Sequence, residues 1–224
     1  MVLKVGHRGA AYYEPENTLR SFKRALELGV DFVELDVRQT KDGVIVVLHD
    51  ATVNRTTNGK GYLRNYSFSD LRFLDAGKGE KVPSLEEVAY LTKDKCGLFI
   101  EVKETGFEDK LVDFVKKQKL ESKSIVISFH LEILQNIKRL YPELRLGVIT
   151  DKLPKDYLVI AKSSGFDYAL VRKDKLRREH VDGFHSLGMK VYAWTVDDER
   201  WVKKLMGFGV DAIASNKPDI LTFK

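Results

Sequence analysis

The chain has 224 residues, with 38 Lys and Arg against 33 Asp and Glu, a formal charge of +5, and 43% hydrophobic residues. This is the composition of a globular protein able to bury a substantial core, and no apolar run nears the roughly 18 residues a membrane helix needs. Basic residues alternate with acidic ones, as in "VRKDKLRREH", without interleaved aromatics, so a nucleic-acid partner is not expected.

The apolar run "VLKVG", 2–6, opens the chain as a strand and lacks the features of a signal peptide, which points to a cytoplasmic protein. "NTLRSFKRALEL" reads as the first helix, with Asn17 or Thr18 as its cap and Glu16 complementing the dipole. "FVELDV", 32–37, and "VIVVL", 44–48, are joined by "RQTKDG", too short for a parallel crossover of about a dozen residues, so the second run returns antiparallel on the first. An irregular stretch follows over 51–83, with one short helical piece around 67–74. A loop of this length in a compact domain is usually functional, and this one is expected over the mouth of the fold. Pro83 and Ser84 then open the helix "SLEEVAYL".

From there strand and helix alternate. The runs "GLFIEV" 97–102, "SIVIS" 124–128, "LRLGVI" 144–149, "DYALV" 167–171, "KVYAWTV" 190–196 and "DAIAS" 211–215 are separated by "EDKLVDFVKKQK", "LEILQNIKRLY", "KDYLVIAKSS", "REHVDGFHSLG" and "DERWVKKLMGFG". Nine strands less the antiparallel one leave eight β/α units. The expected fold is a single TIM-type (β/α)8 barrel domain over 1–224, with an extra hairpin strand and a short insertion after it. Cys96, the sole cysteine, reads as a small core residue.

Barrel strands are covered on both faces, so a carboxylate within one must be paired, liganded or at the rim. Glu34 and Asp36 share one face of "VELDV", and Glu101 and Lys103 share one face of "FIEVKE", both at C-terminal strand ends where barrel active sites are built. Three converging carboxylates repel unless a cation sits among them, and all-oxygen ligation selects a hard divalent ion such as Mg²⁺ or Ca²⁺, with Mn²⁺ as an alternative. Salt bridges to Arg8 and Lys103 alone are the competing arrangement. A turn centred near Lys41 and Asp42 places His49 opposite Glu34, on the same rim as His7, and two imidazoles suit general acid and base work near neutral pH. Arg8 and Lys103 add cations suited to phosphate oxygens, and Trp194 is a candidate apolar wall for substrate. His130, His180 and His185 read as ordinary surface residues, while Glu14 and Glu16 lie within reach of the mouth. Metal, imidazoles and fixed cations together describe phosphodiester hydrolysis.

The ordered series "GHRG", "PENT", "VELDV", "TKDG", "VVLHD", "NRTTNGKG", "VPSLEEV", "FIEVK", "SF", "YAWTVDD" and "GVDAIASNKPD" resembles the glycerophosphodiester phosphodiesterases over almost the whole chain. The resemblance implies a TIM barrel that hydrolyses small-molecule glycerophosphodiesters to glycerol 3-phosphate and an alcohol. It implies acid/base roles for His7 and His49, one divalent cation on Glu34, Asp36 and Glu101, and phosphate contacts from Arg8 and Lys103. Two departures stand out. Ser215-Asn216 occupies the place of the Thr-Asp with which the family often ends its last strand, removing a carboxylate, and the insertion 51–83 is shorter than in larger members. Three rivals are a lysophospholipid-type phosphodiesterase on the same fold, a glycoside hydrolase using Glu34 and Glu101, and a binding module without turnover. The last two leave the histidines without a task.

Overall fold

The computed structural model describes residues 2–153 and 156–221, arranged around a nine-stranded sheet. Its strands are β1 (Leu3–His7), β2 (Phe32–Gln39), β3 (Ile45–Val47), β4 (Gly97–Val102), β5 (Ser124–Ser128), β6 (Leu146–Thr150), β7 (Tyr168–Arg172), β8 (Lys190–Trp194) and β9 (Ala212–Ser215). The order is β1-β9-β8-β7-β6-β5-β4-β2-β3, and a parallel β1–β2 pairing closes all but β3 into an eight-stranded parallel barrel. The expected TIM-type barrel with one surplus antiparallel strand is therefore the observed fold. Every residue of β4 and β5 is buried, as strands with a filled interior inside and helices outside require.

Phe99 occupies the barrel interior, its ring 5.0 Å from Phe32, 5.7 Å from Tyr168 and 4.9 Å from Tyr192. With Val5, Ile125 and Leu170 these rings belong to an inner core separate from the layer between strands and helices. Side chains at the strand ends therefore sit above a filled interior, in a cup at the C-terminal face.

The outer helices are α1 (Leu19–Glu27), α2 (Phe68–Leu71), α3 (Leu85–Thr92), α4 (Glu108–Lys117), α5 (Leu131–Leu140), α6 (Tyr157–Ser164), α7 (Arg178–Ser186) and α8 (Glu199–Phe208). Lys155, in the sequence-predicted span of α6, lies outside the described residues. Thr18 caps α1 by accepting from the Ser21 N–H, while Asn17 takes a left-handed backbone with φ 58° and turns its side chain inward. No helix of the described residues is long and apolar enough to cross a membrane.

The hairpin corrects one expectation. Val37 pairs with Val47 and Gln39 with Ile45, a register that brings His49 opposite Leu35 and not Glu34. The cause is a three-residue loop, closed by Thr40 and Val44 with Gly43 at φ 82°, where the sequence reading assumed an even count. Such a slip inside a ladder would send a side chain to the other face. His49 escapes this because the ladder ends at Val47, and its backbone carbonyl is held by Arg38 Nε at 2.9 Å.

The segment 51–83 is more ordered than a loop. Val53, Leu63, Leu71, Ala76 and Val82 pack with Val46 and Leu48 into a separate apolar cluster. The helical piece expected around 67–74 is the single turn α2, whose cap Ser67 and Asp70 form a capping box. Ser84 and Glu87 form a second, which opens α3.

Candidate active site

The segment "GHRG" leaves β1 in a tight curl. Arg8 and Gly9 have φ of 52° and 85°, and the Gly9 N–H returns to the Gly6 carbonyl at 3.2 Å. A Cβ on Gly6 would lie 2.7 Å from the Gly9 carbonyl oxygen, so this turn needs a residue without a side chain at position 6. The curl leaves His7 and Arg8 facing the mouth. There His7, Arg8, Glu34, His49, Glu101, Lys103 and Trp194 line one cavity, with Asp36 fully buried beside them. The eight residues singled out in the sequence thus converge at the C-terminal ends of β1, β2, β4 and β8 and in the segment after β3.

Register explains the convergence. His7 is the partner of Glu34 across β1 and β2, and Asp36 of Glu101 across β2 and β4. Ligand oxygens of Glu34, Asp36 and Glu101 lie within 4.8 Å of one another, and all three residues are buried. Both rim cations engage them. Lys103 Nζ is 2.6 Å from Glu101 and 3.3 Å from Asp36, while Arg8 donates its backbone N–H to Glu34 at 2.9 Å and sets Nε 3.2 Å from Asp36. The ion pairs of the arrangement that competes with a bound cation are thus present around the carboxylate cluster.

The charges do not balance. Burial, then Asp36 and Glu101, raise Glu34 well above the usual carboxyl range, and burial, then Asp36, raise Glu101 to about 7. Burial also opposes ionisation of Asp36, but Arg8, Lys103 and His49 overcome it and hold this carboxyl at about 2. Asp36 Oδ1 is buried without a hydrogen bond among the described residues, the Lys103 contact lying off its hydrogen-bonding direction. Three hard oxygen donors, two resisting ionisation and one with an orphaned oxygen, fit a divalent cation.

The histidines are backed differently. His7 Nδ1 contacts Asn216 Oδ1 at 2.8 Å, and burial followed by the Arg8 charge lowers its pKa to about 4. His49 Nδ1 contacts Asp50 at 2.6 Å, and its pKa is lowered chiefly by burial. Asp50 in turn receives Arg55, which donates two further bonds to Glu16 at 2.7 and 2.9 Å. Glu16 also receives Arg8 Nη1 at 2.8 Å. Arg55 belongs to the segment 51–83, which thereby reaches the rim. Glu14 instead pairs with Arg20 and Lys78.

Trp194 packs edge-to-face on Phe129 at 5.6 Å, and its buried Nε1–H has no hydrogen-bond partner among the described residues. Asn17, Arg55 and Asp197 were not singled out as site residues in the sequence, Phe129 entered only within a motif, and Asn216 only as the place of an absent carboxylate. Asn17 donates to Asp36 at 2.8 Å, a contact that a cap assignment hides. The carboxylate absent at position 216 is restored by Asp197, which accepts from the Asn216 side chain at 2.7 Å. His130 immediately precedes α5, and His185 pairs with Asp211 at 2.8 Å, both outside the cavity lining. Cys96, expected in the core, is instead half-buried against its edge, and burial raises its thiol to about 11.

A closed parallel barrel with acidic, imidazole and cationic groups gathered at its C-terminal mouth defines a phosphoric diester hydrolase once its relatives are considered. The sequence model of the glycerophosphoryl diester phosphodiesterase family matches residues 7–220. A glycerophosphodiester phosphodiesterase of Caldanaerobacter subterraneus is 36% identical over 98% of this chain and 96% of its own. An Oleispira antarctica phosphodiesterase solved with its product sn-glycerol-3-phosphate superposes with TM-score 0.88 at 28% identity, covering 96% of this chain and 93% of that one. The Thermotoga maritima glycerophosphodiester phosphodiesterase superposes with TM-score 0.86 at 26% identity, over 99% and 97% of the two chains. The chain belongs to the glycerophosphoryl diester phosphodiesterase family.

Proposed function

We propose that the protein hydrolyses glycerophosphodiesters such as glycerophosphocholine and glycerophosphoethanolamine to glycerol 3-phosphate and the free alcohol, using one divalent cation, Mg²⁺ or Ca²⁺ with Mn²⁺ as an alternative. The observation that carries this reading is the gathering of Glu34, Asp36 and Glu101 in one cavity with two imidazoles. Glu34, Asp36 and Glu101 would hold the cation, which would supply charge neutralisation at a phosphate oxygen. Arg8 and Lys103, lining the same cavity, offer donors suited to phosphate oxygens. One imidazole accepts a proton from the attacking water, whose oxygen stays on phosphorus, and the other donates a proton to the leaving alkoxide. Trp194 and Phe129 form an apolar wall beside them.

A second reading, cleavage of lysophospholipids by the same residues, is favoured by an apolar trough lined by Leu131, Val148, Leu153 and Tyr157. It shares Phe129 and Ile149 with the catalytic cavity. A panel of glycerophosphocholine, glycerophosphoethanolamine, lysophosphatidylcholine and a nitrophenyl glycoside, with and without EDTA, separates the readings. EDTA-sensitive release of glycerol 3-phosphate from the first two supports the proposal. Preference for the lysolipid supports the second reading, and EDTA-insensitive glycoside hydrolysis overturns both.

A further inference from the structure

Behind His7 lies an arm that the proposed chemistry does not yet use. Asp197 Oδ1 accepts the Asn216 backbone N–H at 2.8 Å and the Ser215 hydroxyl at 3.0 Å, and its Oδ2 accepts Asn216 Nδ2–H at 2.7 Å. Ser215 is fully buried, and the Asn216 carbonyl is held by the Tyr12 N–H at 3.0 Å, so the arm is pinned at both ends. A carboxylate only accepts, so the amide nitrogen of Asn216 must face Asp197 and the amide oxygen must face away. That oxygen is 2.8 Å from His7 Nδ1. An amide oxygen cannot donate, so Nδ1 carries the ring proton and Nε2 carries the free lone pair. Nε2 is the nitrogen turned toward the carboxylate cluster, 3.8 Å from Glu34 Oε2.

We infer that Asn216, oriented by Asp197, is a positioning residue that fixes His7 in its Nδ1–H tautomer and makes Nε2 the atom that takes a proton from the attacking water. As the new O–P bond forms, that proton moves to Nε2 and the resulting imidazolium keeps its Nδ1–H on the Asn216 oxygen. The alkoxide released by the breaking P–O bond takes its proton from the other imidazole. His49 differs because its Nδ1 meets a carboxylate directly, at 2.6 Å from Asp50, which favours a ring that holds and delivers a proton. His7 meets a neutral amide, with the charge of Asp197 one hydrogen bond further away. The two histidines are thereby given unlike tasks by unlike partners.

This inference rests on His7 being a proton-transfer group, and the test separates the two claims. In the metal-free wild-type protein, long-range ¹H–¹⁵N spectra of labelled histidine, assigned with His7→Ala, are expected to show His7 protonated at Nδ1 and bare at Nε2. Asn216→Ala is expected to mix the tautomers and to lower kcat by about 10- to 100-fold while KM moves by less than about threefold. The exchange variant Asp197→Asn with Asn216→Asp restores an acceptor facing Nδ1 and is expected to recover the Nδ1–H tautomer, while the carboxylate now directly on the ring moves the kcat pH profile to higher pH. A wild-type His7 protonated at Nε2 overturns the inference without any variant. So does an Asn216→Ala enzyme with unchanged kcat, or an exchange variant whose tautomers stay mixed. Full turnover in His7→Ala overturns the underlying reading of the site as well.

Discussion

Cation binding to Glu34, Asp36 and Glu101 is expected to release protons, and the geometry sets how many. Glu101, raised to about 7 by burial and then by Asp36, is half protonated at pH 7 and contributes about half a proton when it becomes a ligand. Glu34, raised by burial and then by Asp36 and Glu101, contributes up to about one more. Asp36, at about 2, contributes none, so more than about 0.5 and up to about 1.5 protons leave per cation at pH 7. The sign follows because a carboxyl must ionise to ligate. Affinity rises with pH through the window around 7 set by Glu101 and falls below it, by about tenfold per pH unit for each proton displaced. Isothermal titration of Mg²⁺ or Mn²⁺ in two buffers of different ionisation enthalpy reads the number directly. Glu34→Gln should leave only the contribution of Glu101, about half a proton, and weaken binding. Binding without proton release, or equal release in the variant and the wild type, would refute the electrostatic account of the cluster.

His7→Ala and His49→Ala should each lower kcat by about 10²- to 10⁴-fold while the thermal upshift on adding cation persists, as followed by turnover and by scanning fluorimetry. Arg55→Ala removes the clamp on Asp50 and Glu16 and is expected to reduce kcat/KM by about 10- to 100-fold. Because its side chain is 47% exposed, stability should change by less than about 1 kcal/mol. In Gly97→Ala the new Cβ would stand 2.1 Å from the Phe32 ring, so calorimetry should show a loss of about 1–3 kcal/mol, or about 3–10 °C in Tm.

The barrel was legible because its signal is local and repeated. Apolar β-branched runs alternate with amphipathic helices, and one connection is too short to cross over. The cluster was legible for the complementary reason, since Glu34, Asp36 and Glu101 interrupt runs that are otherwise covered on both faces. What escaped depends on geometry with no local signature. The hairpin register turned on whether its loop holds an odd or even number of residues, and Gly43 decided it. Asn17 sits next to a helix start and was read as a cap, because the inward turn of its side chain follows from a left-handed backbone that sequence does not announce. Asp197 and Asn216 come from the segments after β8 and β9 and meet only when the barrel closes. Position 216 alone looked like a lost carboxylate, and the replacement lies 19 residues earlier in the chain.

The central claim, cation-dependent cleavage of a glycerophosphodiester at the alcohol side of phosphorus, is tested most directly by ³¹P NMR. Metal-stripped protein is incubated with glycerophosphocholine before and after one divalent cation is restored. The account predicts no turnover in the stripped protein and, on adding Mg²⁺, Ca²⁺ or Mn²⁺, conversion to glycerol 3-phosphate and choline. Full turnover after stripping, or phosphocholine as the phosphorus-containing product, would contradict it.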